Sequence, residues 1–245
     1  MRRFFIDEPL SEHMVIDNAD AHHIASVLRL PVGSKVLLSD PDGKSGKAEI
    51  LTVNPSNIQL KLLEILEDIS EAPIAVWLVQ SLAKGEKMDF IIQKSVELGV
   101  YGIIPVATAH SVVRYDNAKQ LDKVNRWQKI AREAAKQCGR NYIPQVCPIT
   151  DLKQVLENSD FASVNKIMLY EGQASQGLKQ ALAEMQGESY ILFIGPEGGF
   201  SANEVELCQK KGVQIVTMGP RIMRTETAAL AAVATVMYEC GDLGG

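Results

Sequence analysis

A parallel-sheet α/β fold behind a small β-rich domain is predicted from this chain by three observations. In the last third, two short apolar runs rich in β-branched and aromatic residues, 189–194 and 213–217, each lead into a loop dense in glycine and proline. From residue 74 onward such runs alternate with longer helical patterns, as expected when crossover helices join parallel strands. The first 72 residues instead carry short strand patterns separated by tight-turn residues.

In order along the chain, a short helix is expected over 20–30 and strands around 35–38, 47–53 and 58–63. The breaks at 40–43 (DPDG) and 54–57 (NPSN) have hairpin or loop chemistry. An acidic stretch, 64–71, then gives way to the strand 74–79, so a boundary is expected near Ile69 to Pro73, dividing 1–72 from 73–245. A length of 245 residues and 46% hydrophobic content support a sizeable core. After Met1, Arg2 and Arg3, the apolar run ends at Asp7, Glu8 and Pro9, too short for an export signal. No run approaches the ~20 apolar residues that span a bilayer. These features predict a soluble, cytoplasmic protein. Cys138, Cys147, Cys208 and Cys240 are scattered and the histidines have no ligand spacing, so no metal is expected.

Both late strands end in loops, and open α/β sheets bind ligands at strand C-terminal ends. After the first strand, Gly198 and Gly199 remove Cβ atoms from a close backbone approach, Pro196 restrains φ, and Ser201 with Glu204 has the spacing of a helix-capping box. A plain strand-to-helix turn has the same composition. After the second strand, Arg221, Arg224 and Glu226 crowd the start of a helix, 228–237, whose small apolar residues suggest burial nearly all round. Charges there serve either as pairs and caps or as a site. Neither a Gly-x-Gly-x-x-Gly after an early strand nor a P-loop occurs, which disfavours Rossmann and NTPase readings.

Net charge is −5, unpromising for a nucleic-acid partner, but it is unevenly spread. Residues 1–72 hold seven Lys/Arg against twelve Asp/Glu, whereas 114–140 hold eight against three. There Arg126, Lys129, Arg132, Lys136 and Arg140 recur at helical steps opposite an apolar face of Trp127, Ile130, Ala131, Ala134, Ala135 and Cys138. Such a stripe can track phosphates or simply be a solvated face. Lys87 and Lys94 on another helix, and Arg2, Arg3 and Arg29 in the small domain, are further candidates for RNA contact.

Six blocks, 2–5 (RRFF), 22–30 (HHIASVLRL), 94–99 (KSVELG), 126–144, 195–199 (GPEGG) and 221–228 (RIMRTETA), occur in the order seen in the RsmE family. The chain resembles those 16S ribosomal RNA uridine-N3 methyltransferases of the SPOUT superfamily over nearly its whole length. The resemblance implies a PUA-like β-barrel domain, a SPOUT-type trefoil-knotted methyltransferase domain, a homodimer, and S-adenosylmethionine as cofactor. Periodicity itself reveals no knot. The resemblance also implies one wall of the cofactor site from Ile194, Gly195, Glu197, Gly198 and Gly199 and another from Met218, Gly219, Ile222 and Met223. Tyr170 and Glu171, after a strand at 166–169, complete it. Met223 departs from the leucine frequent in relatives, a near-isosteric change.

The reaction so implied needs help with the proton on uridine N3. Arg224 and Glu226 are the expected catalytic pair, the guanidinium facing the base oxygens and the carboxylate accepting the proton or orienting Arg224. Other readings are a SPOUT enzyme for another RNA position, a non-enzymatic ribosome-assembly module, and a small-molecule enzyme holding phosphate on the glycine loop.

Overall fold

The N-terminal strands form where apolar and polar residues alternate between turn residues. The computed structural model describes residues 1–67, 70–113, 115–172, 174 and 176–244. Ile69, where the boundary was expected to begin, and Arg114, the first residue of the basic stretch, lie outside them. Strands β1 (Arg3–Phe5), β2 (His13–Ile16), β3 (Lys35–Ser39), β4 (Ser45–Asn54) and β5 (Asn57–Leu66) make a five-stranded sheet ordered β1-β3-β4-β5-β2. Only the β1–β3 pair is parallel. Ser39 pairs with Ser45 and Asn54 with Asn57, so both expected turns close antiparallel hairpins. Val36, Leu38, Ala48, Ile50, Ile58 and Leu60 share one buried core with Phe4, Ile16 and Ile24.

The helix expected over 20–30 is shorter and irregular. Asn18 caps α1 (Ala19–His22), its side chain accepting from Asp20 N at 2.9 Å, and the chain continues as a π-turn over His23–Val27. Arg29 then adopts φ 51°, a left-handed conformation unfavourable to a side chain.

The later strands are all parallel: β6 (Ala75–Ser81), β7 (Gly102–Ala107), β8 (Gln145–Val146), β9 (Thr150–Asp151), β10 (Asn165–Leu169), β11 (Gln176–Gly177), β12 (Ser189–Ile194) and β13 (Gln214–Thr217). Their order is β11-β13-β10-β12-β6-β7-β8, with β9 also on β7. The connecting helices are α2 (Lys87–Glu97), α3 (Asn117–Cys138), α4 (Leu152–Glu157), α5 (Leu178–Glu184), α6 (Ala202–Lys210) and α7 (Thr225–Cys240). Strand β12 lies between β10 and β6 and is buried from Tyr190 to Ile194, hence its unbroken apolar run. Ser201 and Glu204 form the capping box that starts α6, and Gly212, at φ 77°, lies just beyond its end. Helix α7 departs from the expected all-round burial: Thr225, Ala229, Ala232, Val233, Val236 and Met237 form one buried face, while Tyr238 is 65% exposed.

The chain divides into two compact units, Met1–Glu71 with Ala135–Ile143, and Ala72–Ala134 with Pro144–Gly245. The segment Ala135–Ile143 joins the first unit through bonds that a linear reading does not reveal. Lys136 pairs with Asp20 at 2.7 Å, Arg140 Nε donates to Glu71 at 3.0 Å, and Asn141 donates to the Gly43 carbonyl at 2.6 Å.

Candidate active site

Because β10, β12 and β13 are parallel and adjacent, the loops that follow them emerge at one sheet edge. They enclose a cleft of about 380 Å³, within the size range of small-molecule sites. From the loop after β10 come Tyr170 and Glu171, and from the loop after β12 come Ile194, Gly195, Glu197 and Gly199. The loop after β13 contributes Met218, Gly219, Ile222, Met223 and Arg224. Of the residues expected at a cofactor site, Gly198 alone does not line the cleft. Its carbonyl instead accepts a 2.9 Å hydrogen bond from His110 Nδ1, which must therefore carry the proton.

The glycines have specific reasons to be there. Gly199 sits at φ 67°, and a Cβ on it would lie 2.3 Å from Glu171 Oε1, so only glycine lets that carboxylate rest against the turn. A Cβ on Gly195 would come within 3.3 Å of the Gly199 backbone. Ile222 is 85% exposed at the cleft, an apolar surface with room for a flat ring.

A buried hydrogen-bond chain ties the walls together. Gln80 Nε2, at the end of β6, donates to Thr225 Oγ1 at 3.0 Å, and that hydroxyl donates to the Gly195 carbonyl at 2.6 Å. The first residue of α7 thereby fixes the glycine loop.

Lys87 forms the second tie. Its Nζ lies 3.0 Å from Glu197 Oε1 and 3.2 Å from Glu226 Oε2, the latter as an ion-pair contact. Its pKa is raised, the hydrogen bond to Glu197 being the largest cause and outweighing burial. Burial pushes the Glu197 carboxyl upward, but hydrogen bonds from its own backbone, Lys87 and Lys84 N, with the Lys87 charge, hold it below the ordinary value. Glu226 is paired with Lys87, and no ion pair joins it to Arg224 among the described residues. Arg221 and Arg224 are exposed at the cleft and have no ion pair among the described residues.

The expected RNA-contact residues are dispersed. Lys87 belongs to the cleft. Arg126 pairs with Asp89, and Lys136 and Arg140 are taken up by Asp20 and Glu71. Arg140 also lies past the end of α3 and is only 5% exposed, so it is no part of an open helical stripe. Arg132 is half-buried, and Lys129 is exposed on α3. The apolar face holds except at Cys138, which is exposed. Lys94 pairs with Glu97 one turn away. Arg3 donates to the hydroxyls of Ser39 and Ser45 at 2.7 and 2.6 Å, while Arg2 and Arg29 are exposed.

Sequence reasoning missed Gln80, Thr225, His110 and the cleft position of Lys87. Gln80 left one usable signal, a polar residue near the end of an otherwise apolar strand. The others depend on partners remote in sequence.

Fold and site together define an RNA methyltransferase of the SPOUT type with a PUA-like N-terminal domain. The profile described as "RNA methyltransferase domain" matches residues 70–237, and that described as "RNA methyltransferase PUA domain" matches 16–63. The ribosomal RNA small subunit methyltransferase E of Bacillus subtilis is 34% identical over 258 aligned positions, covering 100% of this chain and 99% of the relative. The enzyme of the same name from Neisseria gonorrhoeae, solved bound to S-adenosyl methionine, superimposes with a TM-score of 0.87 at 33% identity, covering 99% of both chains. A Legionella pneumophila methyltransferase in complex with the same cofactor gives 0.86 at 32% identity, covering 98% of both. The chain belongs to the ribosomal RNA small subunit methyltransferase E family.

Proposed function

We propose that this protein transfers the methyl group of S-adenosylmethionine to N3 of a specific uridine in the 16S rRNA of the small ribosomal subunit. The observation that carries the reading is the cleft shared by the three loops, with exposed Arg224 on its wall and Glu226, two residues further on, paired with the cleft residue Lys87. The residues present fit the cofactor. Gly195 and Gly199 leave a cradle that a Cβ would fill, Glu171 offers a carboxylate to hydroxyl groups, and exposed Ile222 offers apolar surface to an adenine. Tyr170, Ile194, Glu197, Gly198, Met218, Gly219 and Met223 complete the wall or brace it.

The cofactor, when bound, supplies an electrophilic methyl group. The chain's own residues then supply the rest. Glu226 accepts the N3 proton, Arg224 stabilises the charge that develops on the flanking base oxygens, and the loops hold the two reactants in line. No metal enters this chemistry.

Residues 1–72 act as the RNA-binding PUA-like domain and 73–245 as the methyltransferase domain, with the C-terminal chain threaded as a trefoil knot. Arg2, Arg29 and Lys129, each exposed, are the RNA contacts. The protein works in the cytoplasm as a homodimer that covers the outer side of α7, where Tyr238 is exposed. Sedimentation at micromolar concentration tests the dimer.

The function is tested by incubating the protein with labelled S-adenosylmethionine and small subunits that lack the modification, then digesting the RNA to nucleosides. Label in 3-methyluridine is the expected result. Label in another nucleoside, or none, overturns it.

A further inference from the structure

Resting on the methyltransferase reading, we propose that Lys87 is a positioning residue of the reaction, a cationic clasp between the Glu197 turn and the Glu226 carboxylate, rather than a contact to RNA phosphate. Lys87 is the first residue of α2, where the helix dipole disfavours a cation. A lysine kept there for phosphate would reach into solvent. This side chain is only 30% exposed, and its ammonium lies between two carboxylates supplied by the loop after β12 and the first turn of α7.

The same connection supplies a second hold, because Lys84 N donates to Glu197 Oε1 at 3.2 Å. Lys84 and Lys87 therefore fasten the loop after β12 and the first turn of α7 at one point. Remove the ammonium, and the two carboxylates that shared it repel each other. Glu197 keeps its backbone donor, whereas Glu226 loses the only cation that fixes it among the described residues. The raised pKa of Lys87 means that the clasp stays charged throughout the physiological range.

Lys87→Met, Lys87→Arg and wild type are compared by calorimetric titration with S-adenosylmethionine, methylation of unmodified small subunits under saturating conditions, and RNA binding across a salt series. For Lys87→Met the cofactor dissociation constant is expected to rise about three- to tenfold, as loss of two partly exposed ion pairs implies. The kcat should fall about ten- to a hundredfold because the proton acceptor is no longer held. The slope of log K against log salt should not change, and Lys87→Arg should recover most of both losses. A fall in that slope by about one would make Lys87 a phosphate contact and overturn the proposal. So would Lys87→Met with wild-type dissociation constant and kcat. Melting temperature is read alongside, and Lys87→Gln takes the place of Lys87→Met should the latter melt early. A wild-type protein that binds cofactor but makes no methylated uridine fails the functional reading, and the clasp is then judged on the dissociation constants and the salt slope.

Discussion

The cleft and helix α3 both concentrate charge, but they dispose of it in opposite ways. At the cleft, Arg221 and Arg224 stand exposed without an ion pair among the described residues, and Lys87 is shared between two carboxylates. Along and just beyond α3, Arg126, Lys136 and Arg140 are each engaged by a carboxylate, Asp89, Asp20 and Glu71. Arg140, whose hydrogen bonds are made inside the fold, has little left for a phosphate, while an unengaged guanidinium beside a cavity is open to a ligand. The density of basic residues is therefore a poor guide to the binding face, and the availability of each is a better one.

The sharpest break of that contrast is Arg140→Ala. It leaves Glu71 without its guanidinium in a site where Arg140 is 5% exposed. Breaking a fully buried pair costs more, but Glu71 is 30% exposed, so a loss of about 2–3 kcal/mol in urea unfolding is expected, with no change in catalytic rate per folded molecule. Arg224→Ala should do the reverse, leaving the unfolding midpoint in place and lowering kcat by about a hundredfold, the usual penalty for losing one donor to developing charge. If Arg224→Ala methylated at the wild-type rate, the catalytic assignment would be wrong even though the function stood.

Gly199→Val refines the same side of the comparison. Its φ of 67° and the 2.3 Å approach to Glu171 require the turn to move, and S-adenosylmethionine affinity should drop by about tenfold or more. On the α3 side the effects are smaller. Lys129→Ala is expected to reduce the salt slope of RNA binding by about one, and Lys136→Ala to leave it unchanged. Equal slopes in the two variants would erase the distinction between engaged and available cations.

The smallest expected effect is acid sensitivity. Glu197 is held below its ordinary value of 4.5, so the stability it contributes is complete above that value and is lost as pH falls through its lower folded value. Glu197→Gln should flatten the acid limb of stability below about pH 4.5, by about 0.5 kcal/mol for a carboxylate this exposed.

What was legible in the sequence follows the same physical division. The glycine loop, the capping box at Ser201 and the Arg224 segment are local signals, written in residues whose backbone preferences act within a few positions. They marked the two loops after β12 and β13 as ligand loops, and parallel strands deliver such loops to one edge whatever lies between them in sequence; the individual cofactor residues, Tyr170 and Glu171 included, came from the family resemblance. Strands β1 and β2 were not legible because three and four residues carry too little pattern, and each is held by a distant partner. The π-turn after α1 has no local sequence signature that we identify. The pairings of Lys87, Arg140 and His110 were invisible for the same reason as β1: each partner lies far along the chain. The one-sided burial of α7 was missed because small apolar residues suit a core and a subunit interface equally well.

The central claim is that the loops after β10, β12 and β13 form one cofactor pocket while α3 takes no part in it. Amide hydrogen exchange with and without saturating S-adenosylmethionine tests this directly. Exchange is expected to slow together at 170–172, 195–199 and 218–224 and to stay unchanged along α3. Protection confined to one loop, or centred on α3, would contradict it.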